Sequence, residues 1–369
     1  MLIAAVVVVI SVLGVLSYGL FNSLTNTVET GQFELMQSIV DDALRGAENK
    51  ALARAELVAD LPATKRLMAA RDRPGLLAEF GEMFAKQKAR HGVDQAQFHV
   101  PPATSFLRLN DPSKFGDDLT RFRPIVVAVN RERASRKGFA IARSGPAIFG
   151  VAPISDPSGN ALGSFEIGID FAPLLVALKS AHGLDLALFV EGASLREFAA
   201  GIDPAKLGDQ NQVGRFIRFT ATNATLMQGL VGAADIAAVN APTHYTREDQ
   251  GNFYGVLLIP LKNGSGESLG VIAAARNFNG TRAAAGQSLV WQICFSIIAI
   301  VILSGMIVIV IRGFLLQPLK VINTRFAALS AGQPAEPIED PGAYPAEMSQ
   351  ILALYERIRS RKSRPGTTP

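Results

Sequence analysis

The chain has 369 residues, 49% hydrophobic and 18% charged, a balance too apolar for a typical soluble protein and not apolar enough for a multi-span transporter. Its net charge of +4 does not indicate nucleic acid, because Lys and Arg are scattered along the chain rather than gathered into one patch. The single cysteine, Cys294, lies inside an apolar run, which excludes a disulfide from the rest of the chain.

Residues 2–20 form the first apolar run, rich in Val and Ile, with Tyr18 and Phe21 at its far end. A secretory signal is the rival reading. No basic n-region precedes the run, it exceeds the usual h-region, and no A-x-A cleavage site follows, so an uncleaved membrane span is expected. From 22 to 61, apolar or small residues recur at helical spacing through Phe33, Met36, Val40, Ala43, Ala47, Ala51, Ala55 and Val58, until Pro62 ends the pattern. At about 1.5 Å per residue this helix is roughly 55–60 Å long, more than a domain core needs, and it predicts a stalk. Residues 76–91 read as a second amphipathic helix.

After Gly92 the texture changes to short alternating runs punctuated by Gly and Pro, which predicts an antiparallel sheet. Strands are expected over 96–99, 105–109, 138–143, 147–154, 161–170 and 185–191, with helices over 122–132 and 173–182. An internal repeat follows. Pro153-Ile-Ser-Asp-Pro-Ser-Gly-Asn-Ala-Leu-Gly163 matches Pro260-Leu-Lys-Asn-Gly-Ser-Gly-Glu-Ser-Leu-Gly270 without a gap, Asp170-Phe171 matches Asn277-Phe278, and Phe149-Gly150 recurs upstream as Tyr254-Gly255. Each copy reads as a hairpin, and a period of about 107 residues predicts two similar sheet domains in tandem rather than a solenoid.

Residues 289–311 are the second apolar run, with no ionisable residue over roughly 34 Å of helix, enough to cross a bilayer core. Trp291 stands at one end and Arg312 follows the other. No Lys or Arg follows the first run until Arg45, whereas Arg312, Lys320 and Arg325 follow the second. The expected topology places both termini inside and 22–287 outside. Beyond the membrane, Leu319, Ile322, Phe326 and Leu329, then Met348, Ile351, Tyr355 and Ile358, form two coiled-coil stripes joined by a Gly/Pro-rich connector. Neither helix buries its stripe alone, which predicts a dimeric parallel four-helix bundle.

Phe106-Leu-Arg-Leu-Asn-Asp-Pro-Ser-Lys-Phe-Gly-Asp-Asp-Leu119, with Arg123, Gly150-Val-Ala-Pro153 and Gly163-Ser-Phe-Glu-Ile-Gly168, resembles the double Cache sensor domains of bacterial chemoreceptors and sensor kinases. The likeness covers roughly 95–175 and is weaker over 185–285. Residues 313–362 resemble a HAMP linker on Pro318, Gly332 and Glu347, with Ala346 where the family usually has an acid. The resemblance implies an α+β chain with two transmembrane helices flanking a tandem PAS-like sensor on a stalk, followed by a HAMP-like linker. The expected division is 1–21 first span, 22–91 stalk and packing helices, 92–183 membrane-distal module, 184–287 membrane-proximal module, 288–312 second span, 313–363 linker and 364–369 tail. The sequence closes on Pro-Gly-Thr-Thr-Pro with no methylation helices, kinase core or cyclase motif, so the output domain is expected to be missing.

Gly266-Glu-Ser-Leu-Gly270 satisfies the hydrolase pattern G-x-S-x-G, but a nucleophile elbow needs a helix after it and 271–275 reads as a strand. His91, His99, His182 and His244 lack metal-ligand spacing. No catalytic residue, metal or cofactor is expected. Ligand recognition is the better use of the polar residues in the first module. Arginine offers a planar fork for a carboxylate or phosphate, and a nearby acid holds an ammonium group. His99, Arg108, Arg123, Arg143 and Glu166 are the candidate ligand contacts, Arg108 foremost because it interrupts an apolar strand.

The expected protein is a non-enzymatic, homodimeric sensory receptor of the bacterial inner membrane with a periplasmic sensor. It would bind a small carboxylate or amino acid and relay a conformational signal to a cytoplasmic partner or missing output domain. A chemotaxis-type output stands beside a histidine kinase or diguanylate cyclase. A membrane-tethered enzyme and a partner-binding subunit are the rivals from other classes.

Overall fold

The computed structural model describes residues 2–264, 266–331, 336–338 and 346–362. It divides into two units, Asn26–Arg282 and Met1–Thr25 with Ala283–Pro369, and each is taken by itself.

Helix α1 (Leu2–Asp60) runs through the first apolar stretch and the expected stalk as one element, with no proline before Pro62 to break it. Pro62 does not merely end that helix; it is the first residue of α2 (Pro62–Ala69), where its missing N–H costs nothing. Helix α3 (Arg73–His91) begins three residues earlier than its apolar pattern, because the Asp72 side chain accepts from the Gly75 N–H at 2.9 Å and caps it. Gly92, at φ +68°, closes it in the left-handed region.

The chain then forms β1 (Val93–Val100), β2 (Thr104–Arg108), α4 (Pro124–Glu132), β3 (Arg136–Ala142), β4 (Gly145–Ser155), β5 (Ala161–Asp170) and α5 (Phe171–His182). After it come β6 (Asp185–Glu191), α6 (Gly192–Phe198), β7 (Gln212–Val213), β8 (Phe216–Ala221), α7 (Ala224–Leu230), α8 (Ala233–Ala237), β9 (Thr243–Asp249), β10 (Asn252–Lys262) and β11 (Ser268–Asn277). One sheet has the order β2-β1-β5-β4-β3 and the other β7-β8-β6-β11-β10-β9, so without the short β7 the two share one topology.

The internal repeat is the β4–β5 and β10–β11 hairpins in matching register. Ile154 pairs with Gly163 and Leu261 with Gly270, and a bulge follows each pair. In one turn the Gly159 N–H donates to the Asp156 carbonyl at 3.0 Å and the Asn160 N–H to Asp156 Oδ1 at 2.8 Å. In the other, Gly266 donates to the Asn263 carbonyl at 2.9 Å and Glu267 to Asn263 Oδ1 at 2.9 Å. Gly159 and Gly266 sit at φ +82° and +84°, which a side chain would oppose. Tyr254-Gly255 does not correspond to Phe149-Gly150, because Gly255 lies five residues before its hairpin proline and Gly150 only three. Ser268 opens β11 rather than a helix, so the G-x-S-x-G stretch is a hairpin turn and not an elbow.

Each sheet alternates between two faces. In the first, Ala96, Phe98, Ala152, Ile154, Phe165 and Ile167 pack beneath the end of α1 and beneath α2 and α3. In the second, Leu186, Leu188, Ile259 and Ile272 join Phe33, Met36 and Val40 of α1. The second sheet's reverse face is closed by Met227 and Leu230 of α7 and Ile236 of α8. The reverse face of the first sheet lies under α4 and the long segment before it, and it is partly polar.

In the other unit, α9 (Asn279–Val310) contributes its apolar length and leads through a π-helical turn, Ile311–Leu316, into α10 (Gln317–Ser330). Both apolar helices are long and apolar enough to cross a membrane. Val15, Leu16, Val301 and Ile309 are exposed, as lipid-facing side chains are. Gln292 Nε2 donates to the Gly14 carbonyl at 3.1 Å and ties one helix to the other. The linker stripes are only partly as expected. α10 buries Ile322 and Leu329, but in α11 (Ala346–Lys362) Leu352 and Tyr355 are buried while Ile351 and Ile358 are exposed. Within the chain α11 meets α10 through Phe326 and Tyr355, whose rings lie 5.3 Å apart, and meets the connector through the Tyr355 hydroxyl, which donates to the Glu336 carbonyl at 3.2 Å. Pro318 is buried at the start of α10; Gly332 lies outside the described residues, and Glu347 is placed only as part of α11.

Candidate ligand site

The reverse face of the first sheet is built by alternation. Gln95, Gln97 and His99 of β1 share it with Ser164, Glu166 and Gly168 of β5, paired as Gln95–Gly168, Gln97–Glu166 and His99–Ser164. Across the other edge of β1, Arg108 stands opposite Gln97 and Ser105 opposite His99. The segment from Leu109 to Arg123 folds back over this face and leaves a cleft of about 270 Å³. Gln95, Gln97, Arg108 and Arg123 line its inner wall, and Asn110, Asp111, Asp117 and Phe122 its outer one. Arg143 and Ser144 of the β3–β4 turn close one side with the end of α6, Glu197 and Phe198.

Three of the five candidate residues, Arg108, Arg123 and Arg143, line the cleft, whereas Glu166 and His99 lie behind it. Arg108, buried, donates to Asp117 at 2.8 and 2.7 Å and to the Lys114 carbonyl at 3.0 Å. Its fork is occupied by the protein, and its first task is to fasten the 109–123 segment. Arg123 pairs with Glu166, both nearly inaccessible, and lies 4.1 Å over the Phe149 ring. Arg143 is exposed and makes no ion pair among the described residues. Asp111 likewise pairs with no cation among the described residues, and its carboxylate accepts from Ser113 Oγ at 2.7 Å. Glu197 is held by Arg121 at 2.7 Å.

Burial pushes the Glu166 carboxyl above the usual carboxylate range, opposed by the Arg123 and Arg108 charges. Burial also takes the His99 imidazole well below its ordinary value, and the same two arginines add to the effect, so the ring is neutral. Hydrogen bonds from Arg108 hold the Asp117 carboxyl low. A folded-state value below the unfolded one means that this anchor is complete above the ordinary carboxylate range and is lost as pH falls through the depressed value. Amide protection in residues 110–118, taken relative to the intrinsic exchange rate at each pH, is therefore expected to fall on acidification before that of β5. Equal onset in both would detach the loop from the Arg108–Asp117 pair.

The second sheet supplies an internal comparison. With the hairpins aligned, Ser164, Glu166 and Gly168 correspond to Val271, Ala273 and Ala275, while Gln97 and His99 correspond to Ala187 and Phe189. These replacements are buried in an apolar cluster. One face is polar and holds a cleft; its counterpart is filled by side chains.

Asp111, Asp117, Gln95 and Gln97 were not among the candidates. The two acids lie within the Phe106–Leu119 motif, but only the fold-back of that segment brings them over β2. The glutamines show no signal apart from polar alternation in β1.

Residues 32–277 match the family model described as the double sensory domain of two-component sensor kinase, dCache_3. The chain belongs to this family. The double Cache expectation holds across both sheets, and the family is a sensory one. No curated protein matches the chain. Among solved structures, this double sensory domain is similar to the ligand-binding domain of the Campylobacter jejuni chemoreceptor Tlp3 in complex with 4-methylisoleucine. That likeness has 12% identity, covers 71% of this chain and 94% of that one, and has a TM-score of 0.40. It is also similar to the periplasmic domain of Vibrio cholerae LuxQ, with 12% identity, 68% of this chain, 99% of that one and a TM-score of 0.37.

Proposed function

We propose that the chain is the sensing half of a transmembrane receptor whose first sheet binds a small zwitterionic metabolite, of amino-acid type, in the cleft under residues 109–123. The observation that carries this reading is a pair of opposite charges without ionic partners, Arg143 and Asp111, lining one small cleft among groups that are otherwise matched. Arg143 takes the ligand carboxylate and Asp111 its ammonium group, while Arg123 and Arg108, each already paired with a carboxylate, line the inner wall. The filled counterpart in the second sheet supports a single site, with 92–183 as the binding module and 184–287 as the connecting one.

The two apolar helices anchor the chain in the bacterial inner membrane, with the sensor periplasmic. Closure of the 109–123 segment on the ligand shifts the second apolar helix of a homodimer by about 1–2 Å relative to the first. The HAMP-like linker, through Pro318, Gly332 and Glu347, passes this to a cytoplasmic output. A full 1:99 to 99:1 reversal needs about 5.5 kcal/mol of differential affinity, which bounds the ligand's leverage. The family's description favours a kinase as output over a methyl-accepting domain.

Calorimetric titration of the full chain in lipid nanodiscs with amino acids and simple carboxylates tests the site. An amino acid is expected to bind, and Arg143→Ala and Asp111→Ala each to weaken it about tenfold or more. For a carboxylate lacking the amine, only Arg143→Ala should matter. Unchanged affinity in both variants would remove the cleft from ligand binding.

A further inference from the structure

Behind the cleft, the polar face of the first sheet does not satisfy itself. His99 and Ser164 are fully buried and stand opposite each other on β1 and β5. Among the described residues, neither ring nitrogen of His99 has a hydrogen-bond partner, nor has Ser164 Oγ, nor Arg123 Nε. The Ser164 backbone faces the imidazole without completing a bond, and Ser105 Oγ, on the other side, already accepts from Gln97 Nε2 at 2.8 Å. Unpaired polar atoms in a buried sheet face are costly, and native chains carry few of them.

The fold does not require them. The second sheet, in the same register, carries Phe189 where the first has His99 and Val271 where it has Ser164, and both pack in an apolar cluster. An apolar pair therefore serves this position structurally. The polar pair is adjacent to the cleft through Gln97 and Arg123, which line it.

We propose that the cleft continues inward past Gln97 and Arg123 into a subsite, formed by His99 and Ser164, that receives an uncharged hydroxyl or carboxamide group of the ligand. Resting on the zwitterion reading above, this adds a third recognised group to the two charged ones. A neutral imidazole offers one donor and one acceptor, and a serine hydroxyl offers the same. The matching group must both donate and accept, as a hydroxyl or carboxamide does. An ammonium group is disfavoured by the adjacent Arg123 and Arg108. A ligand lacking the group leaves the pair unsatisfied, which is how a site of this kind discriminates.

The test uses matched probes on the full chain in nanodiscs: L-serine against L-alanine, L-threonine against L-2-aminobutyrate, and L-malate against succinate. For the pair that binds, the hydroxylated member is expected to bind about tenfold more tightly. In the double variant His99→Phe with Ser164→Val, which installs the second sheet's residues, the advantage is expected to vanish while the other member keeps its affinity. The unliganded variant should unfold at the same or a higher temperature than the parent. Ser164→Ala alone, which cannot overpack, should reduce the advantage in the same direction. Binding without hydroxyl preference, or a preference that survives both substitutions, would overturn the subsite alone. Lower thermal stability in both variants would do the same by making the pair structural. Failure of every probe to bind would instead overturn the zwitterion reading, and the subsite with it.

Discussion

Glu166→Ala is expected to destabilise the sensory region by about 3–5 kcal/mol, because it leaves the Arg123 guanidinium uncompensated in a position water hardly reaches. For a domain of this size, that is a fall of about 6–20 °C in the unfolding midpoint. The loss should come from the orphaned charge rather than from the missing bond. Replacing both partners with apolar residues, Arg123→Met with Glu166→Leu, is therefore expected to return stability to near the parent value. The double variant should still bind ligand more weakly than the parent, since Arg123 lines the cleft. Circular dichroism melts with calorimetric titration check both halves. A double variant as unstable as Glu166→Ala would show that the pair does more than neutralise itself.

Gly150→Ala should cost about 1–3 kcal/mol for a different reason. A β-carbon there would fall on the backbone of Ala51 and Leu52, so α1 lies directly against β4 with no side chain between them. Nothing flexible can yield, and the helix must lift from the sheet. Its flanking residues Phe149 and Val151 point to the other face, so ligand affinity should change less than stability. Gly46→Ala on the same helix is the control: its β-carbon would meet open space, and the substitution should stabilise by about 1 kcal/mol. Equal melting points for Gly150→Ala and the parent would contradict the close approach.

The regular parts of this molecule were legible because alternation and capping residues are local. The strands over 161–170 and 185–191 match β5 and β6 end for end, and the hairpin repeat could be read from spacing alone. What escaped depends on contacts between distant residues. Arg108 was legible as an odd charge in an apolar strand, yet Asp117, which occupies its fork, lies in a loop with no periodicity. His99 and Glu166 were recognisable as polar strand residues. That one is neutral and unpaired while the other closes an ion pair with Arg123 follows only from register and burial. The unbroken α1 hid for the opposite reason: two regions of different composition share a helix because nothing between them stops one.

The π-helical turn at Ile311–Leu316 has a geometric consequence for what lies beyond it. A π-turn holds more residues than an α-turn, so the residues that follow are displaced in phase, by about 100° for each one inserted. Were the segment to revert to α geometry, Ile322 and Leu329 would swing around the helix axis by that angle, with little change in length. At the foot of the second apolar helix the backbone thus admits a twist as well as a slide.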